Sequence, residues 1–446
     1  MTWIIHTLTV YPPNKINLSN FLCGHIGIAG SKITLVGQHT SACLNKVIWG
    51  GWLKWRLIMK ITDIEIFVVS GGRRPWLFSA VRTDEGITGY GEFGRGAIAN
   101  SLIGFVEDFK PLIIGKDPRA VEKIYFDLYR NFRDVPGGIA QMGIAAVELA
   151  CWDIKGKALG LPVSHLVGGP HRSSQRVYWS HMVSARAHDP NLAPDKPLNN
   201  WDAVAQAVKE APERGYDAFK TNIVWPGENP TAISQGRDDR DHDQRADTDI
   251  VRHVEKQISV MREAVGPSVD ILLDINYNFK TEGAIRIAKA LEPYNLFWIE
   301  HDNESPQALA QLRNSTHIPV CSGEQRFTVR EYLPYFDLHA MDTVKVDVQW
   351  QGFGPAKKVA DIAETYEMNI APHNPASELA SFQSVHLCAS VSNVRIMESD
   401  PETVPWTDEL FTALPAVNKG YMQVPTEPGW GCDLVEDTAR KYSWNK

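Results

Sequence analysis

The chain has 446 residues, 43% hydrophobic and 22% charged, close to the soluble globular average and long enough for two domains with a sizeable core. A net charge of −8 and a pI of 6.0 argue against a general affinity for nucleic acid or anionic membranes, and no apolar run approaches the ~20 residues that span a bilayer. The six cysteines are scattered without a CxxC pair, which fits buried free thiols in a reducing, cytoplasmic setting rather than a disulfide framework.

Residues 1–58 differ in character from the rest. Trp49, Trp52 and Trp55 cluster there, and no sustained helix or strand period runs through them. No basic segment leads into an apolar stretch and a small-residue cleavage site, so a signal peptide is not expected. MKITDIEIFVV, opening at Met59, alternates as a strand does. We therefore expect Met59 to be the functional start and 1–58 to be an atypical leader, either translated upstream sequence or a poorly ordered extension.

Residues 59–170 read as an α+β domain. The alternating runs IEIFVV, WLFSAVRT and ITGYGEF, broken at Gly71-Gly72 and at Asp84-Glu85-Gly86, predict a β-meander. From about 100 to 158 the spacing turns helical: Ala145, Ala146, Leu149, Trp152 and Ile154 make apolar faces, and Gly160 with Pro162 ends the run.

Over 171–400, short β-branched segments alternate with longer helical ones. RVYWSH, DAFKTN, DILLDIN, LFWIEHD, IPVCSGE, TVKVDV, NIAPHN and VRIMESD are eight strand candidates. Repeated strand–helix units imply a parallel sheet with right-handed crossovers, and eight of them predict a closed (β/α)8 TIM barrel. No GxGxxG turn supports the rival, an open doubly wound sheet. The polar stretch 226–248 reads as a solvated insertion, or as a lid over the barrel mouth. Residues 401–446 are expected to pack back on the α+β domain, which would cap the barrel.

Polar residues recur with the barrel's period. Asp274, Glu300, Glu324, Asp347, His373 and Glu398 lie at or just past strand ends, with successive gaps of 26, 24, 23, 26 and 25 residues. That spacing is about one strand plus one helix, and it puts all six at the C-terminal rim, where barrels do chemistry. An acidic residue after a strand is often only a helix cap, but six in register, approached by apolar runs such as FWIE, fit capping poorly.

Three converging carboxylates repel one another and ionise at a cost unless a cation lies between them. Oxygen-only ligands favour Mg2+ or Mn2+ over Zn2+, so Asp274, Glu300 and Glu324 are assigned to Mg2+. Asp347 and His373 fall on consecutive strands, where a carboxylate would fix the imidazole's tautomer and raise its basicity. Lys220, ending the second strand, would bind a substrate carboxylate or act as a base. Glu398 is either a hydrogen-bond donor to a developing enolate or a structural rim acid. Together these groups suit removal of a proton α to a carboxylate.

The chain resembles the enolase superfamily, and within it the mandelate racemase/muconate lactonizing enzyme family and its galactonate dehydratase-like sugar-acid dehydratases. The resemblance runs from Met59 to the C-terminus. TDEGITGYGE (83–92), AAVELACWDIKGKALGLPVSHLVGG (145–169), DIN, WIE, SGEQR and APHNP carry it. It implies an N-terminal domain that closes over the barrel, a homo-oligomer, metal ligands at Asp274, Glu300 and Glu324, a dyad at Asp347 and His373, an acid at Glu398, and the first lysine of a KxK motif at Lys220.

Several positions depart from the family pattern. The second lysine of KxK is Asn222, which cannot serve as a second base and so favours dehydration over racemisation. Asn276 stands where galactonate dehydratases carry a histidine. His301 and Asp302 replace a Glu and a Pro, and His301 is either a new acid/base group or a structural substitute. Arg73, Arg74 and Trp76 fall in the loop that reaches the far end of the substrate in relatives, or else form a solvated basic turn. The expected substrate contacts are thus Asn222, Asn276, His301, Arg73 and Trp76. The expected reaction is dehydration of a small sugar acid to a 2-keto-3-deoxy product. The alternatives are a racemase, epimerase or cycloisomerase on the same scaffold, or a catalytically idle barrel that serves as a binding protein.

Overall fold

The computed structural model describes residues 7–9, 25–29, 32–36, 59–72, 74–131, 137–233, 245–401 and 404–444. The chain divides into two compact units, Met1–Met59 and Lys60–Lys446. In the first, Thr7–Thr9, His25–Ala29 and Lys32–Val36 form a three-stranded antiparallel sheet with Lys32–Val36 in the middle. Strands this short carry too few alternations to stand out in the sequence, which is why the period of 1–58 reads as irregular. The tryptophan cluster, and with it most of the leader, lies outside the described residues.

The second unit opens with the meander. Strands β1 (Ile61–Ser70), β2 (Pro75–Thr83) and β3 (Thr88–Glu92) pair antiparallel in chain order. A register shift between Ile61 and Asp63 lets both Ile61 and Ile64 turn inward, although they are three residues apart. Helices α1 (Ala99–Ile113), α2 (Val121–Asn131) and α3 (Gly138–Leu159) follow. α3 is apolar nearly all round and is buried over most of its length, as a central helix must be. β3 lies so close to it that a Cβ on Gly89 would stand 2.2 Å from the Ala150 carbonyl oxygen, so only glycine fits. Gly160, at φ 68°, caps α3 in the left-handed conformation.

All eight predicted barrel strands are present. They are β4 (Ser174–Trp179), β5 (Ala218–Thr221), β6 (Asp270–Asp274), β7 (Trp298–Glu300), β8 (Val320–Ser322), β9 (Thr343–Asp347), β10 (Asn369–His373) and β11 (Met397–Ser399). Neighbours from β4 to β10 pair in parallel, and β11 pairs back on β4 through Met397, Glu398 and Ser399. A parallel bridge between Ile370 of β10 and Val394, three residues before β11, completes the circuit. Helices α4 (Trp201–Glu213), α5 (Thr248–Val265), α6 (Thr281–Leu291), α7 (Pro306–Arg313), α8 (Thr328–Phe336), α9 (Phe353–Thr365) and α10 (Glu378–Ser390) alternate with them. This is a TIM barrel with an N-terminal capping domain, as the strand–helix rhythm predicts.

One cluster of inward side chains joins Tyr178, Ala218, Leu272, Trp298, Cys321, Ala371 and Ile396, from every barrel position except β9. Strand side chains alternate faces, so the next inward layer lies two residues further along each strand. That step gives Ser180, Lys220, Asp274, Glu300, Gly323, His373 and Glu398. The barrel thus changes from apolar to polar in a single layer at its C-terminal end.

Beyond the barrel, β12 (Val417–Asn418) and β13 (Tyr421–Gln423) form a hairpin whose second strand runs antiparallel to β4. The final segment returns along β1, where Ser443 bridges Val69 and the Trp444 amide donates to the Val68 carbonyl. Residues 234–244, the centre of the polar insertion read as solvated or as a lid, lie outside the described residues. Among the described residues, Cys151, Cys321, Cys388 and Cys432 are buried free thiols, and no helix is long and apolar enough to cross a membrane.

Candidate active site

The polar layer is organised by two buried ammonium groups. Lys220 Nζ lies 3.3 Å from Asp274 Oδ2, 3.1 Å from Glu300 Oε1 and 3.1 Å from Glu398 Oε1. Burial alone would lower its pKa, but Glu300 and Glu398 outweigh burial and hold it well above the ordinary lysine value. It therefore stays charged. Of its two expected roles, binding a substrate carboxylate and acting as a base, a charged Lys220 suits the first better.

Lys345 is the second ammonium, a residue absent from the expected site. Its Nζ lies 2.9 Å from Glu398 Oε2 and 3.5 Å from Glu300 Oε1, and it donates to the Tyr178 hydroxyl. The signal was available: Lys345 stands two residues before Asp347, so both must face the barrel interior. Its register partner is Ala371, whose small side chain leaves room for the lysine stem.

Glu398 is the most fully compensated acid of the layer. Burial would raise its pKa, yet Lys220 and Lys345 hold it well below the usual carboxylate range. It also accepts from the Ser180 hydroxyl and, at 3.0 Å, from the Asn374 amide. An ionised group with these partners is not a hydrogen-bond donor in this state, so its surroundings favour the structural-acid reading.

His373 and Asp347 meet as their spacing predicts. His373 Nδ1 is 2.6 Å from Asp347 Oδ2, and Asp347 Oδ1 accepts from the Trp350 amide at 2.7 Å. The Trp350 ring lies edge-on to the imidazole, 4.9 Å between centroids. Burial pushes the His373 pKa well below 6.5, so the ring is neutral near pH 7. Burial also raises Asp347 well above the ordinary carboxylate value, against the backbone amides of Trp350 and Gln349. In the tautomer with Nδ1–H donating to Asp347, Nε2 carries the lone pair. Nε2 faces Glu324, 3.2 Å from Oε2.

The three expected metal ligands sit on adjacent strand ends, but not as a cage. Asp274 and Glu300 are register partners across β6 and β7 and share the Lys220 ammonium. Glu324, two residues past β8, is turned towards His373. Among the described residues no group of three or more His, Cys, Asp or Glu side chains is arranged to hold a metal ion. The donor chemistry nonetheless favours a cation. Burial first, and then the charges of Asp302, Glu300 and Asp274, raise Glu324 well above the ordinary carboxylate value. Glu300 is raised too, by burial and then by Asp274 and Glu398, against the two lysines. Asp302, which accepts from the Gly323 amide at 3.2 Å, is pushed up to about 7 by burial and by Glu300.

The remaining expected contacts separate into two groups. Asn222 Nδ2 donates to the Asp274 carbonyl at 3.1 Å and to Asn276 Oδ1 at 3.2 Å, so both asparagines border the layer. Ser184 Oγ donates to Asn222 Oδ1 at 2.8 Å and fixes the amide's orientation. His301 points away: its Nδ1 is 2.9 Å from the Asn276 carbonyl and its Nε2 is 3.5 Å from Asn303 Nδ2. Burial lowers its pKa, and a neutral ring donating from Nδ1 satisfies that carbonyl. Its geometry is that of a structural replacement. Trp76 stands apart from the polar layer and lines a separate cavity at the capping-domain turn. Arg73 lies outside the described residues.

Two family models match the chain. Residues 59–168 match the mandelate racemase / muconate lactonizing enzyme N-terminal domain, and residues 202–438 match the enolase C-terminal domain-like family. The D-xylonate dehydratase of Haloferax volcanii is 27% identical over 86% of this chain and 89% of its own length. A D-galactonate dehydratase family member of Pseudarthrobacter chlorophenolicus is 29% identical over 87% and 96%. A Burkholderia xenovorans protein provisionally described as an L-alanine-DL-glutamate epimerase, solved with magnesium and fumarate, superposes with a TM-score of 0.83 at 34% identity, covering 86% of this chain and 96% of that one.

Proposed function

The chain belongs to the mandelate racemase/muconate lactonizing enzyme family of the enolase superfamily, and on that footing we propose that it is a Mg2+-dependent sugar-acid dehydratase. The observation that supports this reading is the His373–Asp347 pair, with Nδ1 2.6 Å from Asp347 and Nε2 turned into the layer against Glu324 at 3.2 Å, beside buried carboxylates in excess of the two ammonium groups. The sugar-acid dehydratases among the relatives support it.

Asp274, Glu300 and Glu324 would hold Mg2+. Their fit rests on an oxygen-only donor set in which Glu324 and Glu300 are raised by burial and then by neighbouring carboxylates, a surplus of charge that a divalent cation offsets. When bound, Mg2+ supplies electrostatic stabilisation to the substrate carboxylate as negative charge develops on it. The protein's own groups do the rest. His373 Nε2 takes the α-proton, and Asp347 stabilises the imidazolium that results. Lys220 adds positive charge beside the enediolate. The electron pair of the broken C–H bond then forms the C=C bond, the β-hydroxyl leaves, and His373 returns its proton to it as water. The resulting enol tautomerises to a 2-keto-3-deoxy acid.

The epimerase reading has one observation in its favour, the description of the Burkholderia relative. It requires a base on each face of the α-carbon, and Asn222 occupies the position of the second one. Its amide is held between Ser184 and the Asp274 carbonyl and accepts no proton.

His373→Asn tests the assignment. It should lower kcat by about three orders of magnitude, within the range of a lost general base, while Mg2+ binding measured by calorimetry is retained. Turnover near the wild-type rate would remove His373 from the mechanism.

A further inference from the structure

Dehydration of a sugar acid to a keto acid needs three proton transfers, and His373 accounts for two of them: it takes the α-proton and returns a proton to the leaving hydroxyl. The third turns the enol into the ketone, by removing the proton of the C2 hydroxyl and adding one at C3. The other groups already placed in or beside the layer do not serve. Glu300 and Glu398 hold Lys220 and Lys345 charged. Asn222 accepts no proton, and His301 faces Asn276 and Asn303.

His181 is a further imidazole beside the layer. It follows Ser180 just past the end of β4, and β11 alone separates β4 from β10, the strand of His373. Its φ is 52°, in the left-handed region that non-glycine residues rarely adopt. The surroundings enforce that conformation: the Ala185 amide donates to the His181 carbonyl at 2.7 Å, and the Met182 amide donates to the Lys220 carbonyl at 3.1 Å. Ser184, on the same turn, orients Asn222. Strain held in place this way is characteristic of functional positions. Hydrogen counting then fixes the ring. Ser180 has one hydroxyl hydrogen, and it goes to Glu398, which is ionised and can only accept. Ser180 Oγ, 2.9 Å from His181 Nδ1, accepts there, so Nδ1 carries the hydrogen. Asp400 Oδ2, 3.7 Å from the same nitrogen, favours that tautomer too. In the neutral ring Nε2 keeps the lone pair, and it has no hydrogen-bond partner among the described residues. The side chain is 24% exposed, so a small molecule can reach it. The ring is also near enough to act electrostatically on both Glu398 and His373.

Resting on the dehydratase reading, we propose that His181 is a second catalytic base, which turns the enol into the ketone before the product leaves the enzyme. Nε2 takes the proton of the C2 hydroxyl, the O–H electron pair forms the C=O bond, and the C=C pair takes a proton from water at C3. The hydroxide left by that water receives the proton from the His181 imidazolium, so the residue ends neutral and no further reactant is needed. Because the enol is still held by the asymmetric site, the C3 proton arrives on one face only.

The stereochemistry at C3 reads this step apart from the elimination. Gluconate, galactonate, mannonate, xylonate and their diacids are incubated in deuterium oxide with the Mg2+-loaded enzyme, and early product is examined by NMR. The wild type should place deuterium on one face of C3 by about tenfold or more over the other, a preference of about 1.4 kcal/mol between the two transition states. His181→Asn suits the left-handed backbone, which asparagine tolerates. It should release the enol to tautomerise in solution, so that deuterium appears on both faces in near-equal amounts. Circular dichroism checks that this variant folds, and His181→Gln takes its place if it does not. One-face deuterium from the variant overturns the proposal, as does two-face deuterium from the wild type. A folded variant that consumes no substrate puts His181 in the elimination and overturns it as well. If the wild-type enzyme forms no 2-keto acid from the panel, the dehydratase reading fails and this proposal with it; in every other outcome that reading stands.

Discussion

Lys345 shows how a single residue shapes the site without being its reagent. It is fully buried and its Nζ meets Glu398 and Glu300, so both acids depend on it for part of their compensation. Lys345→Met keeps the volume and removes the charge. The variant should lose about 3–5 kcal/mol of stability, the scale for leaving buried acids short of a partner, and urea unfolding would read the loss. A change under 1 kcal/mol would mean that Lys220 alone suffices. His301 is the contrasting case. In the sequence it stands beside Glu300 as a possible acid/base group, but its hydrogen bonds run to Asn276 and Asn303, outside the reacting layer. One-dimensional adjacency misleads here because consecutive strand residues face opposite ways.

Between elements, buried acids of the capping domain fasten it to the barrel. Glu148 on α3 accepts from the amides of Phe353 and Gly354 at the start of α9, at 2.9 and 2.8 Å, and from the Trp152 indole at 2.6 Å. Glu92 at the end of β3 does the same for α10, accepting from the Ser377 and Ala380 amides, both at 3.1 Å. Each carboxylate satisfies N–H groups at a helix start that have no partner within the helix. Both acids are visible in the sequence, but partners more than 200 residues away leave no local pattern. Glu148→Leu should cost about 2–4 kcal/mol by stranding two buried amides. Thermal unfolding checks this, and an unchanged midpoint would deny the clamp.

At the scale of the whole molecule, the eight strands and the order of the rim residues were legible because strand–helix alternation is periodic and its polar ends recur in step. What escaped was side-chain direction within the rim, above all the turn of Glu324 towards His373, and the short strands before Met59. The molecule's pH response is likewise a property of assembly. His386 on α10 accepts from the Ser164 amide and is 3.1 Å from the Trp430 carbonyl, so it joins the capping domain, the barrel and the C-terminal segment. Burial lowers its pKa to about 4. Above pH 6.5 both folded and unfolded forms are neutral there. Between pH 6.5 and 4 the unfolded chain takes up a proton that the fold refuses, and about 3 kcal/mol of stability is lost. The stability gap between wild type and His386→Asn should narrow by that amount over this window, measured by urea unfolding at fixed pH. A pH-independent gap would contradict the neutral buried ring.

The central claim is proton abstraction next to a carboxylate followed by loss of water, driven from one face by His373. Its most direct test is NMR of the wild-type enzyme with Mg2+ and a panel of sugar acids in deuterium oxide. The account predicts a 2-keto-3-deoxy acid from at least one of them, with no α-deuterated epimer released. Deuterium exchange at the α-carbon without loss of water would contradict it and make the protein an epimerase or racemase.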